Sequence, residues 1–155
     1  MGPIMRFIGA FAGAQLVSYF LAGLLARAMG VDAYYPPSPT ALSYLKSMDA
    51  IGSQIGVIAL AQLGRGVLFG IVLSPFRKVF VAMHYLMAAM LLGSIVFIIG
   101  YVAASGGMIE HFVFFSEYPV HFAFITLIEV AVQSAVLGLA VAWLMRLGRN
   151  NGAER

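Results

Sequence analysis

The sequence predicts an all-α integral membrane protein: four transmembrane helices in an up-and-down bundle, with both termini cytoplasmic. Three observations carry this. Of 155 residues, 62% are hydrophobic and 10% charged, with a mean hydropathy of +0.96, whereas a soluble domain carries roughly 25% charged residues. The apolar residues gather into four continuous runs, each near or above the roughly 20 residues that cross a bilayer core of about 30 Å. The Lys and Arg residues fall mainly between those runs, and unevenly. Continuous runs, rather than alternating segments of about ten residues, select helices over a barrel. Residues 1–155 read as a single membrane domain without repeats.

The first span runs from Phe7 to Ala26 and holds no charge. Arg6 before it and Ala26-Arg27-Ala28 after it loosely resemble a cleavable signal peptide. The apolar run is longer than the roughly 7–15 residues of a signal core, so it is expected to stay as a span. Residues 30–49, with Pro36, Pro37 and Pro39, form a first loop. The second span, Ala50 to Leu73, contains Arg65. Ser74-Pro75-Phe76-Arg77-Lys78 reads as a tight turn, which predicts an antiparallel hairpin of spans two and three. The third span runs from Val79 to Ala104, and Ser105-Gly106-Gly107 opens the last loop. Phe112 to Phe115 is too short to cross and belongs at the interface, as do Tyr34, Tyr35, Tyr44 and Tyr118. Pro119 suits the first turn of a helix, where its missing N–H costs nothing. It starts the fourth span, Pro119 to Met145, which contains Glu129.

Orientation follows from the cations in short connections. Arg6, Arg77, Lys78, Arg146, Arg149 and Arg155 lie on one side, and Arg27 and Lys46 on the other. Both termini are therefore expected inside, in a plasma or inner membrane. The net charge of +3 is scattered, without the clustered basic patch that nucleic acid needs. The absence of cysteine removes disulfides, Cys-ligated zinc, iron–sulfur clusters and thiol nucleophiles. Nucleophile-elbow, zincin, phosphate-loop and dinucleotide motifs are absent from the sequence.

Polar residues inside the spans mark the first candidate site. At about 1.5 Å per residue, Glu129 lies roughly 15 Å from the outer surface, Gln15 and Gln62 roughly 18 Å, Gln133 roughly 21 Å and Arg65 roughly 22 Å. These residues, from three spans, share one slab near the midplane. They form either a polar clamp that sets helix register or a site for a proton, ion or polar ligand. Arg65 is expected to hold Glu129, with Gln62 and Gln133 completing its hydrogen bonds. Gly52, Gly56, Gly66 and Gly70 recur on one face of span two and suit close helix packing, within the bundle or against another subunit.

Glu110, His111, Glu117 and His121 are weak candidates for a metal site at the outer face, although their spacing matches no metal motif. His84 and His121 lie about 20 Å apart in depth and cannot share one haem iron within a subunit, which leaves ligation across subunits open. No cofactor is clearly implied. The expected partners are the lipid bilayer and other membrane subunits or further copies of the chain, with no nucleic acid. Three functions compete. The leading expectation is an accessory or structural subunit of a larger membrane complex. The alternatives are a small homo-oligomeric transporter or channel built on the midplane cluster, and a membrane enzyme or redox subunit using the outer Glu and His residues.

Overall fold

The structure, a computed structural model, describes residues 2–39, 41–42, 46–103 and 119–150. Among these it is helical and contains no strand. The helices are α1 (Pro3–Ala28), α2 (Met48–Gly52), α3 (Ile55–Leu73), α4 (Arg77–Ala82), α5 (Tyr85–Phe97) and α6 (Val120–Asn150). A 3₁₀ turn at Val31–Tyr34 follows α1, another at Ser74–Phe76 joins α3 to α4, and a π-helical segment, Ile98–Ala103, continues α5. Three stretches are long and apolar enough to cross a membrane: Pro3–Ala28, Ile55–Ala82 and Val120–Leu147. Tyr85–Tyr101 is a shorter apolar helix. Leu24, Leu60, Leu68, Val72 and Met90 stand exposed on their surfaces, a costly arrangement in water that lipid makes favourable.

Local chemistry sets the ends of these helices. Pro3 occupies the first turn of α1. Gly30 ends that helix at φ 86°, a left-handed conformation that glycine adopts without strain, and so reverses the chain into the 3₁₀ turn. Ser47 caps α2, its hydroxyl accepting from the Ala50 N–H.

Helices α1 and α6 pack together at the centre, α3 lies against α1, and α5 lies against α6. The spatial order is therefore α3–α1–α6–α5, and the expected hairpin of spans two and three does not form. Ser74–Phe76 is not the chain reversal either. Pro75 sits within the first two positions of its turn, where a proline permits helix instead of ending it, and the chain runs directly into α4. The break comes later, at Met83 and His84, whose ψ values are 156° and 148°. The third apolar helix thus begins at Tyr85 rather than Val79. Phe80 of α4 joins the cluster containing Phe7, Phe11, Leu73 and Met145, and α4 packs on α6. In this way α4 carries the chain from the flank of α3 to that of α5.

Arg146 secures the break. Its Nη2 donates to the Met83 carbonyl at 2.7 Å and its Nη1 to the Ala142 carbonyl at 2.9 Å. The guanidinium also lies 5.2 Å from the centre of the Tyr85 ring, and the Tyr85 hydroxyl donates to the Leu139 carbonyl.

The packing divides into two apolar clusters. One, at the end holding Arg6 and Arg146, includes Phe7, Phe11, Phe69, Leu92, Leu137 and Val141. The other, at the loop end, consists of Ala26, Val31, Phe122 and Ile125, with Tyr34 and Tyr35 against it. The buried polar side chains Gln15, Ser18, Gln133 and Ser134 lie between them along α1 and α6. Glycines set the closest helix approaches. A Cβ on Gly66 would stand 2.7 Å from Ala12 Cα and the Phe11 carbonyl, and one on Gly70 would stand 2.7 Å from Ile8 Cα. Across α5 and α6, a Cβ on Gly138 would collide with the Ala89 carbonyl and the Gly93 backbone.

Candidate functional site

Three helices contribute to the polar layer. Gln15 of α1 is wholly buried and donates through Nε2 to Oε1 of Gln62 on α3, at 2.9 Å. Its own Oε1 is buried without a partner among the described residues. Ser18, one turn further along α1, returns its hydroxyl to the Gln15 carbonyl. Gln133 is buried on α6, one turn beyond Glu129.

Glu129 is only half-buried, because it borders a cavity of about 290 Å³. Helix α1 contributes Tyr19, Gly23 and Arg27 to the wall. The 3₁₀ turn and the residue after it contribute Asp32 and Tyr35, α2 contributes Met48 and Gly52, and α3 contributes Ile55 and Ile58. Arg27 Nε and Asp32 Oδ1 pair at 3.4 Å, both about half exposed. This pair stands where α1 turns into the loop and marks the mouth, while Glu129 lies two to three helical turns inside α6. Burial, and then the negative charge of Glu129, push the Tyr35 phenol above its usual range. Tyr35 therefore stays a neutral hydroxyl at physiological pH.

The structure separates Arg65 from Glu129. No ion pair joins them among the described residues; the pair present is Arg27–Asp32. The Arg65 guanidinium lies 5.7 Å from the centre of the Phe69 ring. A Cβ on Gly100 would come within 3.2 Å of Arg65 Nη2 and 3.5 Å of Val130 Cγ1. Arg65 thus comes near Val130, the neighbour of Glu129, without forming an ion pair with Glu129. The missing side chain of Gly100 leaves room for it there.

The remaining candidates scatter. Gly66 and Gly70 are covered by α1 of the same chain, whereas no atom approaches within 4 Å of a Cβ at Gly52 or Gly56. Glu110, His111 and Glu117 lie outside the described residues. His121 Nδ1 is 2.9 Å from the Tyr34 hydroxyl, at the loop end of the molecule. His84 occupies the N-cap position of α5, at the opposite end of the molecule, without a side-chain capping hydrogen bond. Among the described residues no group of three His, Cys, Asp or Glu side chains could hold a metal ion.

Three contributors to the cavity escape a reading of the sequence alone. Tyr19 follows Gln15 by four residues, so helical spacing could have placed it on the same face. Tyr35 and Asp32 carry no such signal, because they reach the cavity through the reversal at Gly30. A second, apolar groove of about 580 Å³ lies between α5 and α6 and is lined by Ala89, Met90, Gly93, Ser94, Ala131 and Ala135 among others. Comparison with protein-family models, with curated proteins and with solved structures yields no match.

Proposed function

We propose that the chain is a four-span protein of the plasma or inner membrane, with both termini in the cytoplasm, and that it works as a small transporter. Its binding site is the cavity that ends at Glu129. In this arrangement α5 and the π-helical segment together make the third crossing, and the mouth at Arg27 and Asp32 faces outward. The observation that supports the reading is a carboxylate inside the long apolar stretch Val120–Leu147 that borders a cavity and lacks an ion pair among the described residues. A charge near the bilayer centre costs about 2.5–3.5 kcal/mol on insertion scales, and such residues characteristically line substrate, ion or proton pathways.

The accessory-subunit reading stands second, supported by the α5–α6 groove. The small residues Gly93, Ala131 and Ala135 line it and would admit a helix of another subunit at close range.

Proteoliposomes challenged with a panel of inorganic and organic ions test the first reading. At least one flux should disappear in Glu129→Gln while yield and elution in detergent stay unchanged. Stoichiometric foreign subunits that leave on Ala135→Leu, with no Glu129-dependent flux, would replace the transporter with the accessory subunit.

A further inference from the structure

We infer that the cavity at Glu129 takes a small organic monocation, an ammonium group carried on a compact apolar body. This inference rests on the transporter reading and names its ligand class. Charge is the first argument. Of the ionisable side chains lining the cavity, Arg27 and Asp32 pair with each other, which leaves Glu129 as the carboxylate of the wall without an ion pair among the described residues. Arg65 is not part of the wall and is turned toward Phe69 and Gly100. A ligand with a single positive charge neutralises the site. An anion would meet Glu129 in a medium of low dielectric, where like charges repel most.

The wall supplies the second argument. Tyr19, Phe20 and Tyr35 line the cavity together with aliphatic residues. Aromatic faces attract a cation within about 6 Å of the ring centre, most strongly where water is excluded. An inorganic ion stripped of its water would demand several converging oxygen ligands, whereas the Asp32 carboxylate of this wall is already paired with Arg27 and most of the other lining residues are apolar. An alkylammonium group instead matches a lining in which Asp32 is paired with Arg27 and Glu129 stands beside three aromatic rings and aliphatic carbon. The volume, about 290 Å³, sits near the lower bound of small-molecule sites, roughly 300–1,000 Å³, and so sets a compact ligand.

The chain has no cysteine of its own, which allows a clean chemical test. Gly23 lines the cavity, and a Cβ there meets no atom within 4 Å. Gly23→Cys is treated from outside intact vesicles with two membrane-impermeant methanethiosulfonates, one carrying trimethylammonium and one carrying sulfonate. Rates are normalised to Pro39→Cys in the exposed loop. The cationic reagent should be favoured about fivefold or more, Glu129→Gln should bring the ratio near one, and choline should slow labelling while its uncharged isostere neohexanol does not.

The choline arm requires no change at Glu129, so the test survives if that variant fails to fold. Labelling without charge preference, or equal protection by neohexanol, overturns the ligand class and leaves the cavity reading standing. Failure of both reagents to reach Gly23→Cys, with Pro39→Cys labelled normally, removes the outward-opening cavity itself.

Discussion

Gln15 reaches from α1 to Gln62 on α3, and the two amides stand in different surroundings: Gln15 is wholly buried, Gln62 only partly. Interhelical hydrogen bonds in membranes contribute about 0.6–2 kcal/mol, but a buried polar group left without a partner costs about 1–3 kcal/mol. Gln62→Leu strands the whole Gln15 amide. Gln15→Leu removes that amide together with its unpartnered Oε1 and leaves only the more accessible Gln62. Gln62→Leu should therefore lower the thermal midpoint in detergent more than Gln15→Leu; the opposite order would mean that the Gln15 carbonyl oxygen is satisfied from elsewhere. Arg146 supplies a second single-residue test. Arg146→Leu leaves the Met83 carbonyl without its donor at the α4–α5 break and should cost about 1–3 kcal/mol. Lys offers one compact ammonium in place of a planar fork that also stacks on Tyr85, so Arg146→Lys should recover only part of the loss in a denaturation curve. Full recovery would show that the charge alone matters.

Helices meet most closely where a side chain is missing. Gly66 and Gly70 let α3 approach the backbone of α1, and Gly138 lets α6 approach α5. Adding a methyl group at Gly66 or Gly138 forces backbone from backbone, and overpacking of this kind costs about 1–3 kcal/mol. Gly64, in the middle of α3, has no atom within 4 Å of a built Cβ, and a helix-interior Gly→Ala change there contributes about 0.5–1 kcal/mol of stability. Gly66→Ala and Gly138→Ala should thus unfold at lower temperature than the parent, and Gly64→Ala at equal or higher temperature. A tolerated Gly66→Ala would mean that α1 and α3 can separate without loss.

The orientation of the whole molecule is tested by fusion. Cytoplasmic reporters placed after Arg155 and within residues 75–78 should be active, and reporters that require the external compartment should be silent there. This follows from the bias of Arg6, Arg77, Lys78, Arg146, Arg149 and Arg155 against Arg27 and Lys46. The reverse pattern would turn the mouth at Arg27 and Asp32 toward the cytoplasm, and with it the direction from which the cavity takes its ligand.

Some features of this molecule are local and were therefore readable along the chain. Membrane class and helical content follow from the length and continuity of the apolar runs. Relative heights follow from the helix rise, which puts Gln15 and Gln62 at one level, where their amides meet. Rotation and neighbour order are not local. In lipid the outward faces are as apolar as the packed ones, so the hydrophobic asymmetry that orients a helix in a soluble protein carries little direction here. Arg65 and Glu129 illustrate this: their estimated heights allowed a pair, yet α3 and α6 both pack on α1, no ion pair joins the two side chains among the described residues, and Arg65 lies against Phe69 and near Gly100. The same gap concealed the order α3–α1–α6–α5 and the role of α4 as a bridge, since Pro75 reads equally as a turn or as the start of a helix. It also concealed the cavity, whose wall joins α1, the reversal at Gly30, α2, α3 and one residue of α6. Composition and the continuity of the apolar runs determined what each segment is, and helix rise the relative heights of residues along it. Interdigitation between distant segments, resolved by close packing at Gly66, Gly70 and Gly138, decided what each one faces.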